Sequence, residues 1–134
     1  MDPLVTEENA AQEHRSLILL IEGDFLTRWR AGEYLRETGF EVIEAVSPEE
    51  SLAALHARCR IDAIFCDAAV FQGTAGQAFL AYLDGQHADL PMLLTGADLQ
   101  ALSVFNLGRS RFGIAKPYDL AAIEQRLHAL IDGC

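Results

Sequence analysis

Five polar residues of the sequence stand at the ends of short apolar runs, and their types suit the transfer of a phosphoryl group. Glu22 and Asp24 follow the first run, Asp67 the third, Thr95 the fourth and Lys116 the fifth. Clustered carboxylates repel one another unless a cation neutralises them, and Mg²⁺ prefers oxygen ligands. In such a cluster Asp67 can act as the nucleophile. The Lys116 ammonium then offsets charge on the phosphoryl oxygens, and the Thr95 hydroxyl bonds one of them.

The apolar runs alternate with longer amphipathic stretches, which indicates strand and helix units around a mostly parallel α/β sheet. We predict strands over residues 17–21, 41–45, 63–66, 92–94 and 112–115. The first run is apolar throughout, as is typical of a central strand covered on both faces. Ligands of open parallel sheets bind at the carboxyl ends of the strands, so we expect the five polar residues at one edge.

Helices are predicted between these strands. In the first, from Phe25 to Thr38, the residues Leu26, Trp29 and Leu35 are expected to face the sheet. The other predicted helices run from Pro48 to about Ala57, through Phe79 and Leu83, from Asp98 to Leu107, and onward from Asp119.

The length of 134 residues fits one domain. Residues 1–15 are polar and lack periodicity, so we predict a flexible leader there and a single domain over residues 16–134. Twenty acidic residues against ten Lys and Arg give a net charge of −10, which repels nucleic-acid phosphates and anionic lipid. Protein partners are therefore expected, without nucleic acid or membrane.

The sequence also indicates the compartment. The longest apolar run is far shorter than the roughly 20 residues that span a bilayer, and the acidic start lacks the order of a signal peptide, so a cytoplasmic location is expected. The three cysteines, Cys59, Cys66 and Cys134, are odd in number and lack CxxC spacing, which favours free thiols over disulfides or a zinc site.

Four motifs, in order and at matching spacing, resemble those of the response-regulator receiver domain over about Leu17 to Ile131. They are Glu22-Gly23-Asp24 after the first strand, Asp67 closing the third, Thr95-Gly96 closing the fourth, and Lys116-Pro117-Tyr118-Asp119 after the fifth. The resemblance implies a flavodoxin-like (βα)5 sheet of order 2-1-3-4-5. The stretch after Gly96 is similar to a subgroup whose fourth helix is short or mobile.

The resemblance also implies roles. Asp67 would be the phosphoacceptor, served by a phosphohistidine of a sensor histidine kinase or phosphotransfer protein. Thr95 would be the switch hydroxyl and Lys116 the phosphate contact. Mg²⁺ would be held by Glu22, Asp24, Asp67 and the backbone carbonyl of Ala69. The protein would be a phosphoacceptor that assists its own phosphoryl transfer and hydrolysis, not an enzyme on a free substrate. It would signal as a single-domain regulator through a downstream protein target.

Two positions depart from the receiver pattern. Gly23 occupies the place of a second acid that usually binds the metal directly, and Asp24 reaches the site only if the glycine lets the turn close differently. Gly113 stands three positions before Lys116, where the family often has an aromatic switch residue. These departures leave open a degenerate receiver that acts as a phosphorylation-independent interaction module.

Three other interpretations also stay open. Asp67 can serve simply as the cap of the next helix, and Glu22 and Asp24 can form a solvated turn whose charge the helix dipole favours. A small metal-dependent phosphatase can use the same aspartate. Against this enzyme, Ala69 stands two residues beyond Asp67, where a second acid would act as acid or base.

Overall fold

The computed structural model describes residues 15–57, 60–102 and 110–133. Its core is a sheet of five parallel strands in the order β2-β1-β3-β4-β5, as the receiver resemblance implies. The strands are β1 (Leu17–Ile21), β2 (Glu41–Ala45), β3 (Ala63–Asp67), β4 (Met92–Gly96) and β5 (Arg111–Ala115).

Helices connect the strands and cover both faces of the sheet. They are α1 (Phe25–Glu37), α2 (Pro48–Ala57), α3 (Gly73–Gln86), α4 (Leu99–Leu102) and α5 (Leu120–Asp132). A short 3₁₀ turn, Ala68–Phe71, separates β3 from α3. Within the described residues, no helix is long and apolar enough to cross a membrane.

The core has two halves, one on each face of the sheet. Every residue of β1 is buried, and alternate residues contribute to opposite halves, with Leu19 on one face and Leu20 on the other. The Leu19 face packs against α2, α3 and α4, whereas the Leu20 face packs against α1 and α5. The continuously apolar β1 is therefore an interior strand of the sheet, and helices exclude water from both of its faces.

The face that α1 turns to the sheet differs from the prediction. Leu35 is buried as expected, together with Ala31 and Gly32, but Leu26 and Trp29 are each about half exposed. At 3.6 residues per turn, Leu26 and Trp29 lie on another side of the helix from Leu35. The helix thus packs through small residues, and its large apolar residues near the N-terminus face outward.

Side-chain hydrogen bonds of Ser47 and Glu50 stabilise the start of α2. The amide of Glu50 donates to the Ser47 hydroxyl at 3.1 Å, and the Glu50 carboxylate accepts from the Val46 amide at 2.9 Å. This arrangement is close to the capping box that the sequence predicts.

Parts of two predictions lie outside the described residues. Of the helical stretch predicted from Asp98 to Leu107, the structure describes Leu99–Leu102 as helix, and residues 103–109 are not described. The predicted leader over residues 1–15 is outside as well, except for Arg15.

Candidate functional site

Strand register brings Asp67 and Thr95 together. They are the paired residues at the carboxyl ends of β3 and β4, and Thr95 in turn pairs with Ile114 of β5. Directly after Thr95, the carbonyl of Gly96 accepts a hydrogen bond from the Lys116 amide at 2.7 Å. Consecutive parallel strands therefore end at the same level, which sets the acceptor candidate, the hydroxyl and the amine side by side as expected.

The Lys116 ammonium contacts the Asp67 carboxylate, donating to its Oδ2 atom. The same ammonium lies 3.8 Å from Oε1 of Glu22. Partial burial alone lowers the pKa of Lys116, but the hydrogen bond and charge of Asp67, with the charge of Glu22, raise that pKa above its ordinary value. Lys116 thus bridges the carboxylates of two strand ends.

The second oxygen of Asp67 caps the 3₁₀ turn that follows. Its Oδ1 atom accepts a hydrogen bond from the Ala69 amide at 2.8 Å. The interpretation of Asp67 as a helix cap is therefore correct in part, because the same carboxylate also contacts Lys116. The bond also holds the backbone of Ala69 beside the acceptor candidate.

Asp24 acts as the N-cap of α1. Its Oδ2 atom accepts from the Thr27 amide at 2.8 Å and from the Thr27 hydroxyl at 2.6 Å. These two bonds lower the pKa of Asp24. Glu22 is oriented separately, since its Oε2 atom accepts from the Asp24 amide at 3.0 Å. The cap supports the helix-start interpretation of Asp24 that the sequence left open.

A cavity of about 360 Å³ opens beside Asp67, lined by residues that include Glu22, Gly23 and Ala69. A Cβ atom at Gly23 would approach only the Val46 carbonyl oxygen, at 3.9 Å. The absence of a side chain there leaves open space next to the carboxylates.

The donor set of this site suits Mg²⁺. Across the described ranges, no group of three or more His, Cys, Asp and Glu side chains is placed to share a metal ion. The set around Asp67 is instead two carboxylates, those of Glu22 and Asp67, with the backbone of Ala69 held beside Asp67 by its amide. Mg²⁺ commonly binds through one or two carboxylates and keeps several waters, so its preference fits these residues and the open space at Gly23.

Tyr118 belongs to the site, although no role for it was predicted. Its ring meets Phe65 edge-on at a centroid distance of 5.8 Å, and it lines a small cleft together with Asp67 and Thr95. Burial and the negative charges of Glu22 and Asp67 raise the pKa of Tyr118, against the opposing effect of Lys116. Its place directly after Lys116-Pro117 is the signal that could have identified it.

Thr95 and Cys66 are buried beneath the site. Thr95 is 1% exposed and lines the cleft beside Asp67. Burial and the neighbouring Asp67 raise the pKa of the Cys66 thiol, which keeps it protonated and unreactive. Cys66 is therefore a core residue, as its strand position predicts.

The fold was compared with known proteins. No protein-family model and no curated protein matches the sequence. Solved structures do match, among them a response regulator receiver protein from Sinorhizobium medicae, with a TM-score of 0.76 and 17% identity over 90% of this chain and 97% of that one. The receiver domain of Francisella response regulator 1452 gives 0.76 and 17% over 89% and 98%.

A third match is the chemotaxis response regulator CheY4 of Vibrio cholerae, with a TM-score of 0.70 and 19% identity over 87% of this chain and 98% of that one. Each match covers nearly all of its own chain and most of this one, so the likeness extends over the whole sheet and its helices. The chain has the fold of the response-regulator receiver domains.

Proposed function

We propose that this chain is a response-regulator receiver that accepts a phosphoryl group on Asp67 from a phosphohistidine of a sensor histidine kinase or phosphotransfer protein. The observation that carries the proposal is the bridge of the Lys116 ammonium between Asp67 and Glu22 at the strand ends. A lone capping aspartate needs no lysine, whereas an acceptor needs a cation beside the incoming phosphate.

In the proposed reaction a carboxylate oxygen of Asp67 attacks the phosphorus atom in line with the bond to the histidine nitrogen. The P–N bond breaks as the P–O bond forms, and the imidazole keeps the electron pair and takes a proton from solvent. The Lys116 ammonium moves from the carboxylate to a phosphoryl oxygen, and the Thr95 hydroxyl donates to another. The Ala69 amide holds Asp67 in position throughout.

Mg²⁺ is proposed as the cofactor, held by Glu22, Asp67 and the backbone carbonyl of Ala69. When bound, it would offset the charge of the phosphoryl oxygens. Asp24 is the remaining predicted ligand, and to serve as one it would have to turn its carboxylate from Thr27. Its metal role remains a prediction, which the paired Asp24 substitutions discussed below test.

The proposed function does not include catalysis on a free substrate. Phosphoryl transfer and the later hydrolysis of the aspartyl phosphate occur on the protein itself, without turnover of a free substrate. The net charge of −10 favours protein partners over nucleic acid, and a cytoplasmic location fits a kinase donor and a downstream protein target.

A second candidate is a degenerate receiver that binds partners without phosphorylation. Two observations favour it: Gly23 supplies no ligand, and Lys116 already neutralises Asp67. This candidate predicts the same fold and surfaces but no response to a phosphate analogue.

Beryllofluoride, which mimics an aspartyl-bound phosphoryl group, separates the two candidates. Amide NMR spectra recorded with Mg²⁺ and beryllofluoride should shift at Ala69, Thr95 and Lys116, and the Asp67→Asn protein should not respond. Unchanged spectra at millimolar Mg²⁺ would favour the interaction module.

A further inference from the structure

The backbone of Glu22 is held on both sides of the residue. Its amide donates to the Ala45 carbonyl at 3.0 Å, which extends the pairing of β1 with β2 by one residue. Its carbonyl accepts a hydrogen bond from Nη1 of Arg28 at 2.9 Å. That carbonyl belongs to the peptide group that joins Glu22 to Gly23. Arg28 therefore orients the peptide plane at the point where the chain leaves the sheet.

The turn after Glu22 has little else to restrict it. A Cβ atom at Gly23 would find only the Val46 carbonyl oxygen within 4 Å, and glycine samples more backbone conformations than any other residue. Across this turn the Glu22 carboxylate accepts from the Asp24 amide at 3.0 Å. A rotation of the backbone at Gly23 would move that amide and release the carboxylate. The bond from Arg28 limits such a rotation.

Arg28 is itself held in a fixed orientation. Its Nε atom lies 3.3 Å from Oε1 of Glu44, and its guanidinium lies 5.6 Å from the centroid of the Phe25 ring. Only 14% of its side chain is exposed. Because the guanidinium is planar, contacts through Nε and Nη1 together fix its direction. The bond to the Glu22 carbonyl is thus set by the packing of α1 against β2.

A second arginine of α1 contacts the same glutamate but lies near the other end of the helix. Nη2 of Arg36 is 3.0 Å from Oε2 of Glu44 and donates to the Val42 carbonyl at 3.2 Å. Both arginines therefore attach α1 to β2 through Glu44. Of the two, Arg28 is the one bonded to Glu22, so the pair separates attachment of the helix from control of the turn.

We propose that Arg28, oriented by Glu44, is a positioning residue of the metal site, which holds the turn at Gly23 so that the Glu22 carboxylate faces the ion. The inference rests on the proposed function, in which Glu22 and Asp67 hold Mg²⁺. Groups that orient metal ligands commonly change metal affinity by about 10–100-fold when they are replaced. Because Gly23 supplies no ligand, the placement of the remaining carboxylates matters more.

The sign of the effect separates positioning from charge. Removal of a positive charge close to a cation site favours binding of the cation by electrostatics alone. Loss of positioning has the opposite effect, because Mg²⁺ then meets a misplaced carboxylate. Arg28→Met keeps an unbranched apolar side chain without the guanidinium, so the direction in which it changes Mg²⁺ affinity reports on the role of Arg28.

The first measurement is the Mg²⁺ dissociation constant, obtained by calorimetry. We expect Arg28→Met to weaken binding at least about tenfold. Arg36→Met, which makes the same charge change at the same Glu44 partner, is the matched control and should leave the affinity unchanged. The proposal would be overturned by the absence of measurable binding to the wild type, by unchanged or tighter binding in Arg28→Met, or by equal weakening in both variants.

The second measurement needs no metal. Backbone NMR relaxation of the metal-free protein gives the order parameters of the Gly23 and Asp24 amides. We expect values typical of a rigid backbone, about 0.85, in the wild type and in Arg36→Met, and values below about 0.6 in Arg28→Met. A turn that is equally ordered in the two variants would show that Arg28 does not hold it.

The two measurements also separate this inference from the phosphoacceptor function. If beryllofluoride fails to shift the Ala69 amide of the wild type, while Arg28→Met alone disorders the turn and weakens Mg²⁺ binding, the positioning role stands and the phosphoacceptor function fails. If the wild type responds to beryllofluoride but Arg28→Met matches Arg36→Met in turn order and Mg²⁺ affinity, the function stands and the positioning role fails.

Discussion

Lys116 donates a hydrogen bond to Asp67 although the two residues stand 49 positions apart in the sequence. The contact exists because β3, β4 and β5 are adjacent and end at the same level, with Gly96 opposite Ala115. Its consequence is a carboxylate already paired with a cation before any phosphoryl group arrives.

The raised pKa of Lys116 gives this contact a pH signature. A group whose pKa is higher in the folded state stabilises the fold below its unfolded pKa, about 10.4 for lysine, and loses that contribution at higher pH. We therefore expect the stability of the wild type relative to Lys116→Met, measured by urea unfolding, to decline as the pH rises above that value. Lys116→Arg keeps its charge at these pH values, so its stability relative to Lys116→Met should not decline. A pH-independent difference for Lys116→Met would contradict the contact.

Gly23→Asp should strengthen Mg²⁺ binding. The new side chain would enter open space, with only the Val46 carbonyl near its Cβ atom, and would add a carboxylate beside Asp67. We expect the Mg²⁺ dissociation constant from calorimetry to fall at least about tenfold, or about 1.4 kcal/mol. Gly23→Ala fills the same space without a ligand and is the control. Equal affinities for both variants would mean that the missing acid does not limit metal binding.

Asp24 can be tested with two substitutions that separate capping from metal binding. Asn retains a good cap, whereas Ala loses the bonds to Thr27. We expect Asp24→Ala to lower the melting temperature and Asp24→Asn to leave it nearly unchanged. The predicted ligand role of Asp24 requires that both variants bind Mg²⁺ more weakly than the wild type. Unchanged Mg²⁺ affinity in Asp24→Asn, with stability retained, would exclude Asp24 as a ligand.

Gly76 sets the position of the turn that carries Ala69. A Cβ atom at Gly76 would lie 2.4 Å from the Phe71 carbonyl carbon and 2.5 Å from the Val70 carbonyl oxygen. Gly76→Ala should therefore destabilise the protein by about 1–3 kcal/mol in chemical denaturation. Gly85→Ala, in the same helix with nothing within 4 Å, should stabilise it by about 0.5–1 kcal/mol. The opposite order of stability would refute the close approach at Gly76.

Tyr118 should transmit the state of Asp67 to α1, since it lines both the cleft that contains Asp67 and a groove of about 650 Å³ that Leu26 and Arg30 also line. Tyr118→Leu keeps an apolar side chain but loses the edge-on contact with Phe65. We expect beryllofluoride to shift the amides of Leu26 and Arg30 in the wild type and much less in Tyr118→Leu. Phe112→Leu, a matched aromatic substitution on β5, should keep the wild-type response. Equal responses in all three proteins would exclude Tyr118 as the link.

The placement of the site was predictable because strand ends are marked by local sequence. Asp67, Thr95 and Lys116 each follow an apolar run, and parallel strands align such ends regardless of what the side chains do. The sheet order came from the receiver resemblance, since apolar runs of similar composition do not specify their neighbours.

The side chains of α1 were harder to predict. Leu26 and Trp29 look like core residues by hydropathy, but Ala31, Gly32 and Leu35 provide the closer approach to the sheet. Hydropathy does not distinguish an apolar residue that packs inside the domain from one that stays exposed. The sequence places Asp24 in a turn before α1, but the choice between capping and metal binding depends on a rotamer that the sequence does not encode.

Covalent phosphorylation of Asp67 is the most direct test of the account. The protein should be incubated with Mg²⁺ and phosphoramidate, a small donor with a P–N bond, and its intact mass measured. We predict a mass increase of one phosphoryl group in the wild type, absent from Asp67→Asn and reversed at alkaline pH, where acyl phosphates hydrolyse. An unmodified wild type, or equal modification of Asp67→Asn, would contradict the assignment of Asp67 as the acceptor.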